Sequence, residues 1–205
     1  MDENTLSDEL AESTKVEPPA DKSLPKELPI LPLRNLVVYP QTGLPLTIGQ
    51  PRSIKLIDEA VSNNRLIGLV ATKNPELENP NAEDLFQIGT VGMVDRLFRA
   101  PDGTIRLIVQ GIERFRIVEF TQSEPYLQAK VESYPEVIET GIEIEALARN
   151  VRDQFEHIAE MIPSIPKELV ASISSIQSAL QTAYTIANFQ RMELKDAQEI
   201  LEITS

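Results

Sequence analysis

Apart from one helical stretch in its first half, this 205-residue chain changes the spacing of its apolar residues near residue 135, and that change limits the fold more than any single motif. Before it they alternate, or run unbroken for the length of a strand; after it they recur every third or fourth position. Period two marks strands with one buried face, and a period near 3.6 marks helices with an apolar stripe. The pattern predicts an α+β chain whose strands come first and whose helices follow.

The most apolar stretch, LPILPLRNLVVYPQTGLPLTIG (28–49), also carries Pro29, Pro32, Pro40 and Pro45. Proline fixes φ and removes a backbone donor, so it spoils a buried helix or a central strand. The expectation is a run cut into short, edge-compatible strands with a turn at Pro40–Gly43. RSIKLIDEAVSNN places Ile54, Ile57 and Val61 at helical spacing, and RLIGLVAT (65–72) has the length and continuity of a buried strand. KNPELENPNAED (73–84) is a polar loop. Two strand-like runs flank Ala100-Pro101-Asp102-Gly103, where proline suits the second position of a type I turn and glycine closes it. ERFRIVEF (113–120) reads as a further strand with Phe115, Ile117 and Val118 inward, and YLQAKVESY (126–134) as another with Leu127, Ala129 and Val131 inward. These short strands predict a small, mostly antiparallel barrel or sandwich with one helix over 28–135.

Over 136–205, Ile144, Leu147, Val151, Phe155, Ile158 and Ile162 form one long helix face that Pro163 and Pro166 end. Leu169, Ile173, Ile176 and Leu180 make a second stripe, and weaker patterns cover Leu180–Ala187 and Leu194–Leu201, so this part reads as a helical bundle. Residues 1–27 hold eight carboxylates, three lysines and no aromatic residue, a composition that predicts a disordered acidic tail.

Catalytic motifs are missing. There is no GxxxxGK[ST] or GxGxxG, and Gly89 and Gly92 sit among strand residues, where they predict a bulge or a close backbone approach. With no cysteine and one histidine, no common zinc set can be assembled, and His157 lies off the apolar helix stripe. The pairs Glu143/Glu145, Asp58/Glu59 and Glu199/Glu202 read as solvated helix faces rather than as acid–base pairs. A net charge of −13 opposes nucleic acid, whose binding draws on cations at phosphates. No apolar run approaches the roughly 20 residues of a membrane span, no secretory signal is visible, and the expected setting is the cytoplasm.

Taken in order, LPILPLRNLVVYP, LPLTIGQPRSIKLIDEA, LIGLVATKNP, DLFQIGTVGMVDRLFRAPDGTIRLIVQGIERFRIVEF, PYLQAKVE, an ISSI block (173–176) and LKDAQEILEITS resemble the N-terminal domain of the Lon protease family. The resemblance runs from about residue 27 to 205. It implies a PUA-like β lobe (a pseudo-barrel with one helix) over 28–135 and a helical lobe over 136–205. It also implies a non-catalytic domain that binds unfolded or damaged proteins for an ATP-dependent, hexameric serine protease of protein quality control. ATP, Mg²⁺ and the Ser–Lys protease chemistry belong in that family to later modules, so no cofactor is expected in this chain. The fragment itself is expected to be a monomer or weak dimer. A free-standing LON-domain adaptor or small-ligand binder is the alternative. Two local departures stand out: Tyr39-Pro40-Gln41-Thr42-Gly43 replaces an aromatic-Pro-Gly turn, and Gln177-Ser178-Ala179 replaces an Asp-Pro-Gly break. Client capture needs apolar surface that folding leaves uncovered. The candidates are Leu33, Leu36, Tyr39, Pro40, Leu44, Pro45 and Met93, since prolines and a methionine supply adaptable apolar surface.

Overall fold

The computed structural model describes residues 24–138, 141–162, 167–189 and 192–204. Most of the expected tail therefore lies outside the described residues. So do the stops at Pro163 and Pro166, and the side chain of Leu169. Leu24 already packs against a core cluster, and Glu27 opens the first strand.

Six strands, β1 (Glu27–Leu33), β2 (Gly43–Ile48), β3 (Leu66–Ala71), β4 (Ile88–Arg99), β5 (Ile105–Gln122) and β6 (Leu127–Ser133), form one sheet in the order β2-β5-β4-β3-β1-β6. A second β5–β6 pairing closes five of them into a barrel and leaves β2 attached to the outer half of β5. Among the described strands only β1 and β3 pair in parallel; the helix α1 (Pro51–Ser62) lies between them in sequence. Pro51 is tolerated at the start of α1 because a first-turn residue has no intrahelical donor to lose. Leu56, Ile57 and Ala60 of α1 pack with Leu46, Ile48, Leu107 and Val109 in a first core, and Leu28, Ile30, Val91, Phe115 and Leu127 make a second.

β1 corrects the expectation drawn from the prolines, because it runs through Pro29 and Pro32 and is paired on both sides. The stagger of its partners explains this. β6 pairs only Glu27–Ile30, and β3 only Ile30–Leu33. Leu33 O bonds toward β3 and Lys26 O toward β6, so by strand alternation Pro29 aims its missing donor at the β3 side before that pairing begins. Pro32 aims its own at the β6 side after that pairing has ended. Only Pro45 lies on an edge strand, its position turned away from β5.

β5 corrects a second expectation: the run before Gly111 and ERFRIVEF are one 18-residue strand. Its first half pairs with β2 and its second with β6. Gly111 is a docking point for the Pro40–Gly43 turn, not a break. Its carbonyl accepts from Gln41 N at 3.0 Å and its N–H donates to Thr42 O at 2.9 Å. Val118 faces outward, 59% exposed, against expectation, beside an irregularity in the β5–β6 register. The hairpin at Ala100–Gly103 forms as the sequence predicts, with Gly103 N donating to Ala100 O at 3.0 Å and Gly103 at φ 85°. Gly92 sits at a register shift in β4, and a Cβ on Gly89 would lie 2.5 Å from Leu69 O.

Among the described residues four helices follow: α2 (Ile142–Met161), α3 (Lys167–Ser174), α4 (Ala179–Phe189) and α5 (Leu194–Glu202). The link between α3 and α4 ends at Ser178, whose carbonyl accepts from Thr182 N and whose hydroxyl accepts from Gln181 N. α2 forms where its periodicity places it but buries a different face. Ala148 and Ala159 are buried, whereas Leu147, Val151, Ile158 and Ile162 of the expected stripe are exposed. α2 packs against α3 and α4, and its buried positions are the small ones, which permit close approach. α4 and α5 seat on the sheet through a third core of Val37, Tyr39, Ala71, Ile88, Tyr184 and Leu201.

Candidate functional site

The seven residues singled out from the sequence divide by burial. Leu33, Tyr39 and Pro40 are buried and as placed offer no surface, a correction to the expected apolar rim. Leu36 and Leu44 are half-buried against the first core. Pro45 and Met93 are exposed. Tyr39 is recruited inward because its ring stacks on Tyr184 (centroids 5.3 Å apart, planes at 15°) and its hydroxyl donates to Ala197 O of α5 at 2.9 Å.

Burial pushes the Tyr39 phenol up to about 12 and raises Tyr184 further. Tyr126 is pushed up to about 12 by burial and by its hydrogen bond with Glu59. An unfolded phenol titrates near 10. Below that pH both states are neutral and the stabilisation is complete. From about 10 to about 12 only the unfolded chain sheds protons, so stability falls as pH rises. Denaturant midpoints measured from neutral pH to about 11 should stay level from these groups until about 10 and then drop. Tyr39→Phe should drop less steeply, and an unchanged slope would deny Tyr39 this role.

Pro45 and Met93 belong to one outward face. By cross-strand register Pro45 opposes Ile108, Ile108 opposes Arg96, Phe98 opposes Arg106, and Met93 opposes Gln110. Alternation along β5 adds Ile112 to the same side. The bulge between Val94 and Arg96 absorbs Asp95 and keeps Arg96 and Phe98 on the outside while Leu97 packs on the first core. Phe98 is 61% exposed, Met93 42%, Ile108 41% and Ile112 37%. Phe98, Ile108 and Ile112 escape a sequence reading that assigns one buried face per strand. For Ile108 and Ile112 the signal is the run IRLIVQGI, which carries apolar residues on both of its alternating faces.

A buried arginine also goes unannounced in the sequence. Arg114 of β5 is fully buried, with Nη1 donating to Leu201 O at 2.7 Å and Ile203 O at 2.6 Å at the end of α5. Its Nε lies 3.0 Å from Glu136 Oε1, and the guanidinium sits 5.0 Å from the centre of the Tyr134 ring. Glu136 also accepts from Tyr184 Oη at 2.9 Å. The cation thus satisfies helix-terminal carbonyls and ties α5 and α4 to the barrel.

A second apolar surface is a cleft of about 1050 Å³ between the start of α2, the α3–α4 link and the end of α5, with Ile144, Leu180, Ile200 and Ile203 in its walls. Among the described residues no cluster of three His, Cys, Asp or Glu side chains could hold a metal, and no helix is long and apolar enough to cross a membrane. His157 is exposed on α2.

The family model for the ATP-dependent protease La (LON) substrate-binding domain matches residues 27–205. The chain belongs to the Lon substrate-binding domain family. It is 44% identical over 181 residues to the Lon protease of Dictyoglomus thermophilum, covering 88% of this chain and 23% of that protein. With Lon protease 1 of Herpetosiphon aurantiacus the identity is 41% over 184 residues, covering 87% and 22%. The chain therefore spans less than a quarter of the length of these Lon relatives. Its fold is similar to the N-terminal domain of the Mycobacterium avium complex Lon protease, with a TM-score of 0.65 at 20% identity, covering 87% of this chain and 91% of that one. A Lon N-terminal domain protein from Xanthomonas campestris gives 0.61 at 18% identity with the same coverages. The β barrel followed by helices is thus the fold of Lon N-terminal domains.

Proposed function

We propose that this chain is the client-capturing part of a cytoplasmic Lon protease. It holds unfolded or damaged polypeptides on the outward face of β2, β4 and β5. Degradation is left to ATP- and Mg²⁺-dependent and Ser–Lys protease modules elsewhere in the hexameric protein, and this chain performs no chemistry of its own. The observation that carries the reading is that face: large apolar side chains held outward side by side on paired strands. Unfolded chains expose the matching apolar groups, and a rigid platform loses little entropy in meeting them. The small-ligand alternative draws on the cleft, whose size suits a compact molecule.

Phe98→Asp and Ile108→Asp test the reading, since both positions are exposed and leave the cores intact. Each should weaken retention of a chemically denatured client by about tenfold, the effect of losing an anchor worth about 1.4 kcal/mol, with an unchanged melting temperature. Ile203→Asp, in the cleft wall, should leave binding as it is. If the first two variants hold the client as well as the unsubstituted chain while Ile203→Asp does not, the cleft is the site and the face is not.

A further inference from the structure

Two arginines project from the outward face, with Asp95 of the bulge beside Arg96 and Asp102 of the hairpin turn within charge range of Arg106. The register rows of the face hold Gly43, Pro45 and Thr47 of β2, Arg106, Ile108, Gln110 and Ile112 of β5, and Met93, Arg96 and Phe98 of β4, with two arginines and no carboxylate among them. This stands against the rest of the chain. Residues 136–205 carry twelve carboxylates and five Lys or Arg, and the first 27 residues eight and three. Two acids of the hairpin lie near these arginines, each with a partner of its own. Asp102 accepts from Thr104 N and Thr104 Oγ1 within the turn, and Asp95 lies 3.9 Å from Arg96 as an exposed neighbour in the bulge. Such an exposed pair contributes little and yields readily to a better partner. The Arg96 side chain is 83% exposed, so its guanidinium is free to turn onto a bound chain.

We propose that this face selects client segments in which a carboxylate lies within one or two residues of an aromatic or aliphatic side chain, and that Arg96 and Arg106 are its specificity-determining residues. The proposal rests on the reading of the face as the client site. Residues opposed across a strand pair hold their Cβ atoms about 4.5–5.5 Å apart. Arg106 beside Phe98, and Arg96 beside Ile108, thus put a cation one side chain away from each apolar anchor. A client whose acid flanks its apolar residue fills both at once; a lysine in that place meets a like charge and is rejected. The acidic remainder of the chain does not cancel this preference at physiological salt. Charges further off than about 8 Å are largely screened there, while groups in contact are screened less. Arginine suits the task better than lysine, because its planar fork grips a carboxylate with two parallel bonds and also stacks on aromatic rings.

The test uses three fluorescent peptides with one apolar core, flanked by Asp, by Ser or by Lys, titrated onto the whole chain and followed by anisotropy. The Asp-flanked peptide should bind about three- to tenfold more tightly than the Ser-flanked one, two exposed charge pairs of ordinary strength. The Lys-flanked peptide should bind most weakly, and the spread should narrow at high salt. Arg96→Glu with Arg106→Glu should reverse the order, and the milder Arg106→Gln should reduce the spread without reversing it. Equal binding of all three peptides overturns the charge preference and leaves the face as a purely apolar site. An order that persists in the double variant also overturns it, by locating the preference elsewhere. Failure of even the Ser-flanked peptide to bind removes the client face itself.

Discussion

Arg114→Met is expected to destabilise the fold by about 3–5 kcal/mol, the usual consequence of removing one partner of a buried ion pair. The cation is fully buried and the Glu136 side chain is 18% exposed, so the carboxylate left behind is largely cut off from water. The same substitution strips the carbonyls of Leu201 and Ile203 of their donor. A buried group deprived of its partner loses its full desolvation compensation, not merely the net worth of one hydrogen bond. Urea denaturation should show the loss as a lower midpoint. Arg114→Lys should fall between the two, since lysine keeps the charge but cannot place one nitrogen on the carbonyls and another near Glu136. Pairing Arg114→Met with Glu136→Gln should recover part of the loss, because the stranded carboxylate is gone. A single-variant cost under about 1 kcal/mol would mean that the α5 terminus finds water in place of the guanidinium. The cluster would then not hold the helices to the barrel.

Gly111→Ala is expected to cost about 2–3 kcal/mol, as overpacking against unyielding atoms does. A Cβ there would stand 2.3 Å from Tyr39 O and 3.2 Å from Tyr39 C, and backbone cannot swing aside as a side chain can. Gly103→Ala is the control. It has φ 85° and nothing within 4 Å of its Cβ, so it should cost about 1 kcal/mol in backbone strain alone. The two substitutions separate the two reasons for a glycine, close approach at the first and a left-handed turn at the second. Equal costs would show that the turn at Pro40–Gly43 can move off β5. Because that turn delivers Tyr39 to α5, a displaced turn should also expose the Tyr39 phenol and bring its titration back toward that of a free tyrosine.

Much of the candidate site was half legible. Pro45 and Met93 could be picked out as apolar residues in unusual company, but Leu33 and Tyr39 looked the same in sequence and prove to be core. What separates them is position relative to strands far away in the chain. Tyr39 is covered by Tyr184 and Ala197, both more than 140 residues later. Ile108 escapes a sequence reading for the converse reason. An alternating strand normally needs one covered face, and IRLIVQGI supplies apolar residues for two, so the uncovered one could not be told from the other.

Elements held by near neighbours are legible in the chain itself. The Ala100–Gly103 hairpin, the amphipathic helix 51–62 and the change to helices after residue 135 depend on torsional preference and on spacing of two or 3.6, which operate over a handful of positions. Tertiary structure alone decided the rest. It let β1 keep Pro29 and Pro32 by staggering β3 and β6, and it drew one strand through Gly111. It also turned α2 so that Ala148 and Ala159 face inward and Leu147 and Ile158 face out. In each case the deciding contact comes from another element, and for β1 and β5 that element is remote in sequence. An apolar pattern states that a face can be buried, and only the element packed against it determines that it is.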